Sequence, residues 1–201
     1  MLKTYRLNPL FLVLITTALT TPGQSVGEQS YRSEYVAEQG RQIKSLSEQD
    51  IDALANGKGW GLAKAAELNG LPGPLHLLQM RDEISLTQEQ VIAIESLYQD
   101  MKSEATGLGK QLIELERQLN QAFADKAMSS EALRTYLQQI ANTRMELRYV
   151  HLNAHLATPN ILSTNQIAQY NTLRGYKDSD PCSRVPMGHD PDMWKRHNGC
   201  D

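Results

Sequence analysis

Val91, Ile94, Tyr98, Met101, Ala105, Leu108, Leu112, Leu115, Leu119 and Ala122 follow one another at alternating spacings of three and four. The pattern runs unbroken for more than four heptads. It predicts one long helix over residues 88–123 with a coiled-coil seam, about 54 Å long at 1.5 Å per residue. Gly107 and Gly109 interrupt it chemically, each costing about 1 kcal/mol against Ala, and mark a bend or a close helix contact. "ADKAMSS" then reads as a turn, with Ser129 or Ser130 capping a second helix. There Tyr136, Ile140, Thr143, Leu147, Val150, Ala154 and Ala157 repeat the alternation, Leu133 and Leu137 widen the apolar face, and Pro159 ends it. The short connection predicts that the two helices fold back on each other as an antiparallel hairpin.

The flanks are weaker. Residues 28–46 show no apolar period and read as a flexible leader. "SEQDIDAL" offers Ser47 as an N-cap with Asp50 in the first turn of a short helix. After "NGKGWG", "WGLAKAAELNG" reads as a second short helix ending at Asn69-Gly70, "LPGP" as a break, and "LHLLQMRDEI" as a third. A last helix is expected through "STNQIAQYNTLRGY". From Lys177 onward the chain carries Pro181, Pro186 and Pro191 and no periodicity.

Composition agrees with an all-α chain. Among 201 residues 40% are hydrophobic but only 6% aromatic, which suits helices packed through Leu, Ile and Ala. A formal charge of -3 gives no footprint for nucleic acid. The first residues change the picture more. Lys3 and Arg6 precede the apolar run "LFLVLITTAL", too short to span a bilayer well but suited to a signal-peptide core, with cleavage expected by residue 27 near Thr21/Gly23 or Ser25/Gly27. Export to an oxidising compartment makes a disulfide between Cys182 and Cys200 the expected pairing, with a Cys/His metal site using His189 and His197 as the alternative. The domain plan is therefore a signal peptide at 1–27, a leader at 28–46, a helical domain at 47–176 and an irregular tail at 177–201.

One internal echo stands out. "LTQEQ" at 86–90 opens the long helix and "LSTNQ" at 162–166 opens the last one. Each reads as a capping box: the Thr87 or Ser163 hydroxyl accepts from a backbone N–H, Gln90 or Gln166 reaches back, and Leu86 or Leu162 staples the entry. Two independently capped helices satisfy this pattern. Paired motifs of this kind, an exported helical chain and a long hairpin between them resemble the Spy/CpxP family of periplasmic proteins. That superfamily also includes heavy-metal-binding proteins related to ZraP and CnrX. The resemblance covers roughly residues 50–176; Ser163 replaces the motif's Thr, and the proline often found after it is absent at Gln88 and Thr164. It implies an all-α protomer forming a thin curved cradle, a homodimer, and ATP-independent binding of unfolded or partly folded envelope proteins.

The chemistry-bearing residues are histidines. His151 and His155 in "HLNAH" lie one helical turn apart, a workable pair for Zn, Cu or Ni, or two polar residues on a helix flank. "HLLQM" adds His76 and Met80 at the same spacing, and Glu67 an oxygen. This set is similar to that of CnrX-type sensors, in a different order along the chain. His189, Met193 and His197 repeat the spacing in the tail. No nucleophile or acid/base constellation emerges, so an enzyme is not expected and no cofactor is required. The leading expectation is a periplasmic chaperone or envelope-stress protein; the others are a metal sensor or scavenger and an inhibitory partner of an envelope sensor kinase.

Overall fold

The computed structural model describes residues 31–176, 182, 185 and 188–200. The signal peptide expected over residues 1–27 lies outside them, as does much of the tail. The chain divides after Val36. Of the first unit only residues 31–36 are described, at the start of the 3-10 turn Glu34–Glu38.

The second unit, from Ala37, holds every described α-helix and no strand is found among the described residues. The helices are α1 (Glu48–Ala55), α2 (Lys64–Glu67), α3 (Pro74–Gln79), α4 (Gln88–Ala124), α5 (Ser130–Ala157), α6 (Thr164–Leu173) and α7 (Pro191–Asn198). None of them is long and apolar enough to cross a membrane. The seam residues do what their spacing requires. Ile94, Ala105 and Leu112 of α4 are buried, and Ile140, Thr143, Leu147, Val150 and Ala154 of α5 are buried opposite them. The two helices pack as a hairpin, closed by the turn after the Asp125 C-cap and by Ser129, whose hydroxyl accepts from Ala132 N–H.

A hairpin has two faces, and here the chain covers part of the second itself. Ile43, Leu46 and Leu54 are buried in the same cluster as Ala105, Leu112, Leu147 and Val150. The segment read from sequence as leader is therefore packed on the hairpin from Ile43 onward; two isolated apolar residues in a polar stretch leave no period to detect. Ser47 caps α1 with a full capping box to Asp50, whose other carboxylate oxygen accepts from the Trp60 indole at 2.8 Å. These bonds from Ser47 and Trp60 hold the Asp50 carboxyl below its usual range. Glu116, buried on α4, accepts from the Ser45 hydroxyl at 2.7 Å.

Gly109 sits where α1 crosses α4. A Cβ there would lie 2.0 Å from the Leu54 carbonyl oxygen, so the contact requires glycine. Gly107 faces open space. The short helices are shorter than the sequence suggested: α2 spans four residues and α3 stops at Gln79. Cys182 and Cys200 are joined by a disulfide, and Asp190 caps α7 with Pro191 in its first turn.

Substitution should separate the two glycines. Gly109→Ala is expected to lower stability by about 3 kcal/mol, the upper end for forced overpacking, because the obstacle is backbone. Gly107→Ala is expected to raise it by about 1 kcal/mol through helix propensity. Urea unfolding of both variants beside the parent measures the contrast; equal effects would remove the close contact from the account.

Candidate functional site

The two Leu-[Thr/Ser]-x-x-Gln motifs meet. Each caps its own helix as the pattern requires: Thr87 N–H donates to Gln90 Oε1 at 3.0 Å and Gln90 N–H to the Thr87 hydroxyl at 3.2 Å. Ser163 N–H donates to Gln166 Oε1 at 2.9 Å and Gln166 N–H to the Ser163 hydroxyl at 3.2 Å. The two glutamines then pair with each other. Gln90 Nε2 donates to Gln166 Oε1 and Gln166 Nε2 to Gln90 Oε1, both at 2.9 Å. Gln90 Nε2 also donates to the Ile161 carbonyl at 2.8 Å. A capping box accepts Glu or Gln at its third position. This arrangement accepts only Gln, because each side chain must donate to the other as well as accept from its own cap. Leu86 and Leu162 pack below against a buried cluster of Leu77, Ile84, Ile94 and Tyr170.

A second junction lies beside this one. The "LPGP" break at 71–74 is held by three side chains from the far end of the chain. The His155 Nδ1–H donates to the Leu71 carbonyl at 2.9 Å, since a carbonyl can only accept. The Thr158 hydroxyl donates to the Pro72 carbonyl, and the Tyr170 hydroxyl accepts from Gly73 N–H at 3.4 Å. A Cβ on Gly73 would stand 2.7 Å from His155 Cε1 and Nε2, so the ring lies directly on that glycine. Glu67 at the end of α2 accepts from Tyr176 at 2.7 Å and pairs with Arg174. Burial works against its charge, yet these bonds hold the carboxyl below its usual range. Burial also drives the Tyr170 hydroxyl up to about 12, leaving it neutral.

The structure thus gives "HLNAH" a divided role. His155 is a loop latch. His151 is 3% exposed, and its Nε2 has no hydrogen-bond partner. Burial, and then the adjacent His155, push the His151 imidazole below its ordinary value. His151, His155, His76 and Glu67 all line one cleft of about 830 Å³. The expected four-ligand set does not assemble. Met80 packs into the apolar cluster around Leu77 instead, and His76 Nδ1 is engaged with Gln79 at 2.8 Å. No three His, Cys, Asp or Glu side chains converge to hold a metal ion among the described residues. The spacing four apart is shared by ligand pairs and by core positions, and Met80 took the second use. In the tail, the His189 ring meets Trp194 edge-on at 4.9 Å.

Sequence reasoning missed Thr158, Tyr170, Arg174 and Tyr176. Only the density of polar and aromatic residues in "QYNTLRGY" could have hinted at Tyr170, Arg174 and Tyr176, and nothing there names a partner about a hundred residues away.

The glutamine pair predicts a substitution with a pH signature. Gln166→Glu keeps the cap acceptor but loses the donor to Gln90, so it should cost about 1–2 kcal/mol at pH 7. Part of that should return near pH 4, where a protonated carboxyl can donate again. Chemical denaturation across that range decides it; a loss no larger than that of an ordinary cap change, flat with pH, would contradict the pairing. His151 predicts the opposite trend. Its unfolded pKa is about 6.5 and its folded one lower. Its contribution is therefore full above about pH 6.5 and is lost as pH falls toward the folded value, because the unfolded chain takes up the proton first. His151→Leu should flatten the slope of stability between about pH 7.5 and 5.5; an unchanged slope would assign it to other groups.

No curated protein and no solved structure matches the chain. The sequence model of the LTXXQ motif family matches residues 75–174, about half of the chain, and spans both motifs, the hairpin and the latch residues His155, Thr158 and Tyr170. Segment 43–67, which covers α4 and supplies Glu67, falls outside that match. Through residues 75–174 the chain belongs to the LTXXQ motif family, that of the Spy/CpxP-like periplasmic proteins.

Proposed function

We propose that this chain is an exported, periplasmic, ATP-independent chaperone that captures partly folded envelope proteins on its hairpin. The observation that carries the reading is an apolar stripe on α5 turned away from the core. Met145, Tyr149 and Leu156 share that outer face and are each more than half exposed although they lie on a well-packed helix, and Leu137, half exposed, lies on its flank. Arg144, Arg148 and Glu146 alternate with them. Such a face offers weak apolar contact with solvated charge beside it, which suits transient capture of many chains better than one fixed partner. A second copy of the chain, covering part of the hairpin, belongs to the same reading.

The test uses the chain without residues 1–27. At stoichiometric ratios it should slow the light scattering of a chemically or thermally unfolded client. Met145→Gln with Leu156→Gln should weaken that protection severalfold with the thermal midpoint unchanged, since both sites are exposed. No protection by the parent would refute the reading. Protection indifferent to the double substitution would move capture to another face.

A second reading, metal handling, is favoured by one observation: the unpartnered, buried Nε2 of His151 lies beside His155, whose Nδ1–H is committed to Leu71 and whose Nε2 therefore carries the lone pair. Zn²⁺ or Cu²⁺ would be the ions. Calorimetric titration at pH 7.5 with His151→Ala and His76→Ala tests it. These variants spare the His155 latch, so lost affinity would report a ligand rather than a loosened loop. No measurable heat with the parent would dismiss it.

A further inference from the structure

The cleft beside His151 is built in ways that neither client capture nor metal handling calls for. Its about 830 Å³ lies within the range of small-molecule pockets. One wall is the loop after α1, where Gly57, Trp60 and Gly61 all take positive φ, of 61°, 43° and 71°. A tryptophan in that conformation is strained, and strain of this kind persists only where surroundings over-determine it. Here Asp50 fixes the indole N–H, and the Arg144 guanidinium stands 5.0 Å from the ring centroid. Tyr98 and Met101 of α4, with Pro74 and Leu75 of α3, complete an apolar lining.

The charges around this lining are one-sided. Lys58, Lys64 and Lys102 face a single carboxylate, Glu67. Glu67 is matched by Arg174, and Lys58 by Asp52. Lys64 and Lys102 make no ion pair among the described residues; the Lys102 ammonium stands 5.7 Å from the Tyr98 ring centroid. The same cleft is lined by His151, whose Nε2 has no partner and whose side chain is more than nine-tenths buried. A buried polar atom without a partner is uncommon and costly unless something completes it.

We propose that this cleft binds a small organic anion, a carboxylate or phosphate monoester on an alkyl or aryl body. The head group pairs with Lys64 and Lys102, the body lies against Trp60, Tyr98 and Met101, and His151 supplies a hydrogen bond from the floor. An alkylammonium head group in that place would meet two unneutralised ammonium groups. A fully apolar ligand would leave them and His151 unanswered.

The experiment uses the chain without residues 1–27, in EDTA, with Trp194→Phe so that Trp60 is the remaining tryptophan. Octanoate, octyl phosphate, octanol and octylammonium are titrated, read by Trp60 fluorescence and calorimetry. One or both anions should saturate at one per chain, and octanol and octylammonium should bind at least about tenfold more weakly, the loss of one charge-assisted contact. Which anion binds identifies the head group. Lys64→Gln with Lys102→Gln should weaken the anion by a similar factor while the thermal midpoint holds; both lysines are exposed, so folding is not at stake. Absence of saturable binding, equal binding of octanol, or indifference to the lysine substitutions would overturn the proposal. EDTA separates it from metal handling. Met145→Gln with Leu156→Gln should leave anion binding intact, so failure of client capture and failure of this site are read independently.

Discussion

Everything at the base of the hairpin hangs on two glutamine side chains that must each serve two masters. Each amide oxygen satisfies the cap of its own helix, and each amide nitrogen reaches the other glutamine. The pair joins residues 76 positions apart. It fixes the start of α6 beside the start of α4, and with it the return path of the chain after α5. Local hydrogen bonds could have been satisfied by either helix alone. Reciprocity converts two local caps into a long-range constraint, and the apolar cluster of Leu77, Ile84, Ile94 and Tyr170 sits directly under it.

The latch on residues 71–73 extends the same logic. An irregular segment between short helices exposes backbone groups that burial would leave unsatisfied. His155, Thr158 and Tyr170 answer three of them in succession, from a region that the glutamine pair has already brought close. The buried His155 in the helix seam thus has a structural partner in the Leu71 carbonyl. Its neighbour His151 received no such partner, and that difference sets one apart as architecture and the other as an open position in the cleft.

Much of this was legible from the chain alone, for a physical reason. Heptad spacing over α4 and α5 is a dense, redundant signal, so both helices and their buried faces could be read within a residue or two. Caps are read from two or three residues each, and Ser47, Thr87, Ser129 and Ser163 all cap as their side chains allow. Pairings between distant segments leave no such trace. That Gln90 meets Gln166, that Gly109 meets Leu54, and that Ile43 and Leu46 enter the core are facts of the third dimension. Met80 shows the cost of reading spacing as chemistry: a residue four positions from a histidine is equally one turn along an apolar face.

The distribution of burial along the hairpin has a dynamic consequence. Buried residues cluster toward its base, and from Arg117 to Gln139 none is buried. Amide protons near Ile94 and Ala154 should therefore exchange only with global unfolding, whereas those around the turn open by local fraying at a small fraction of that free energy. Phe123 and Leu137, both exposed, lie in that loosened end. A chain meeting them encounters two helices that can part and re-close while the base stays shut, a compliant jaw rather than a rigid plate.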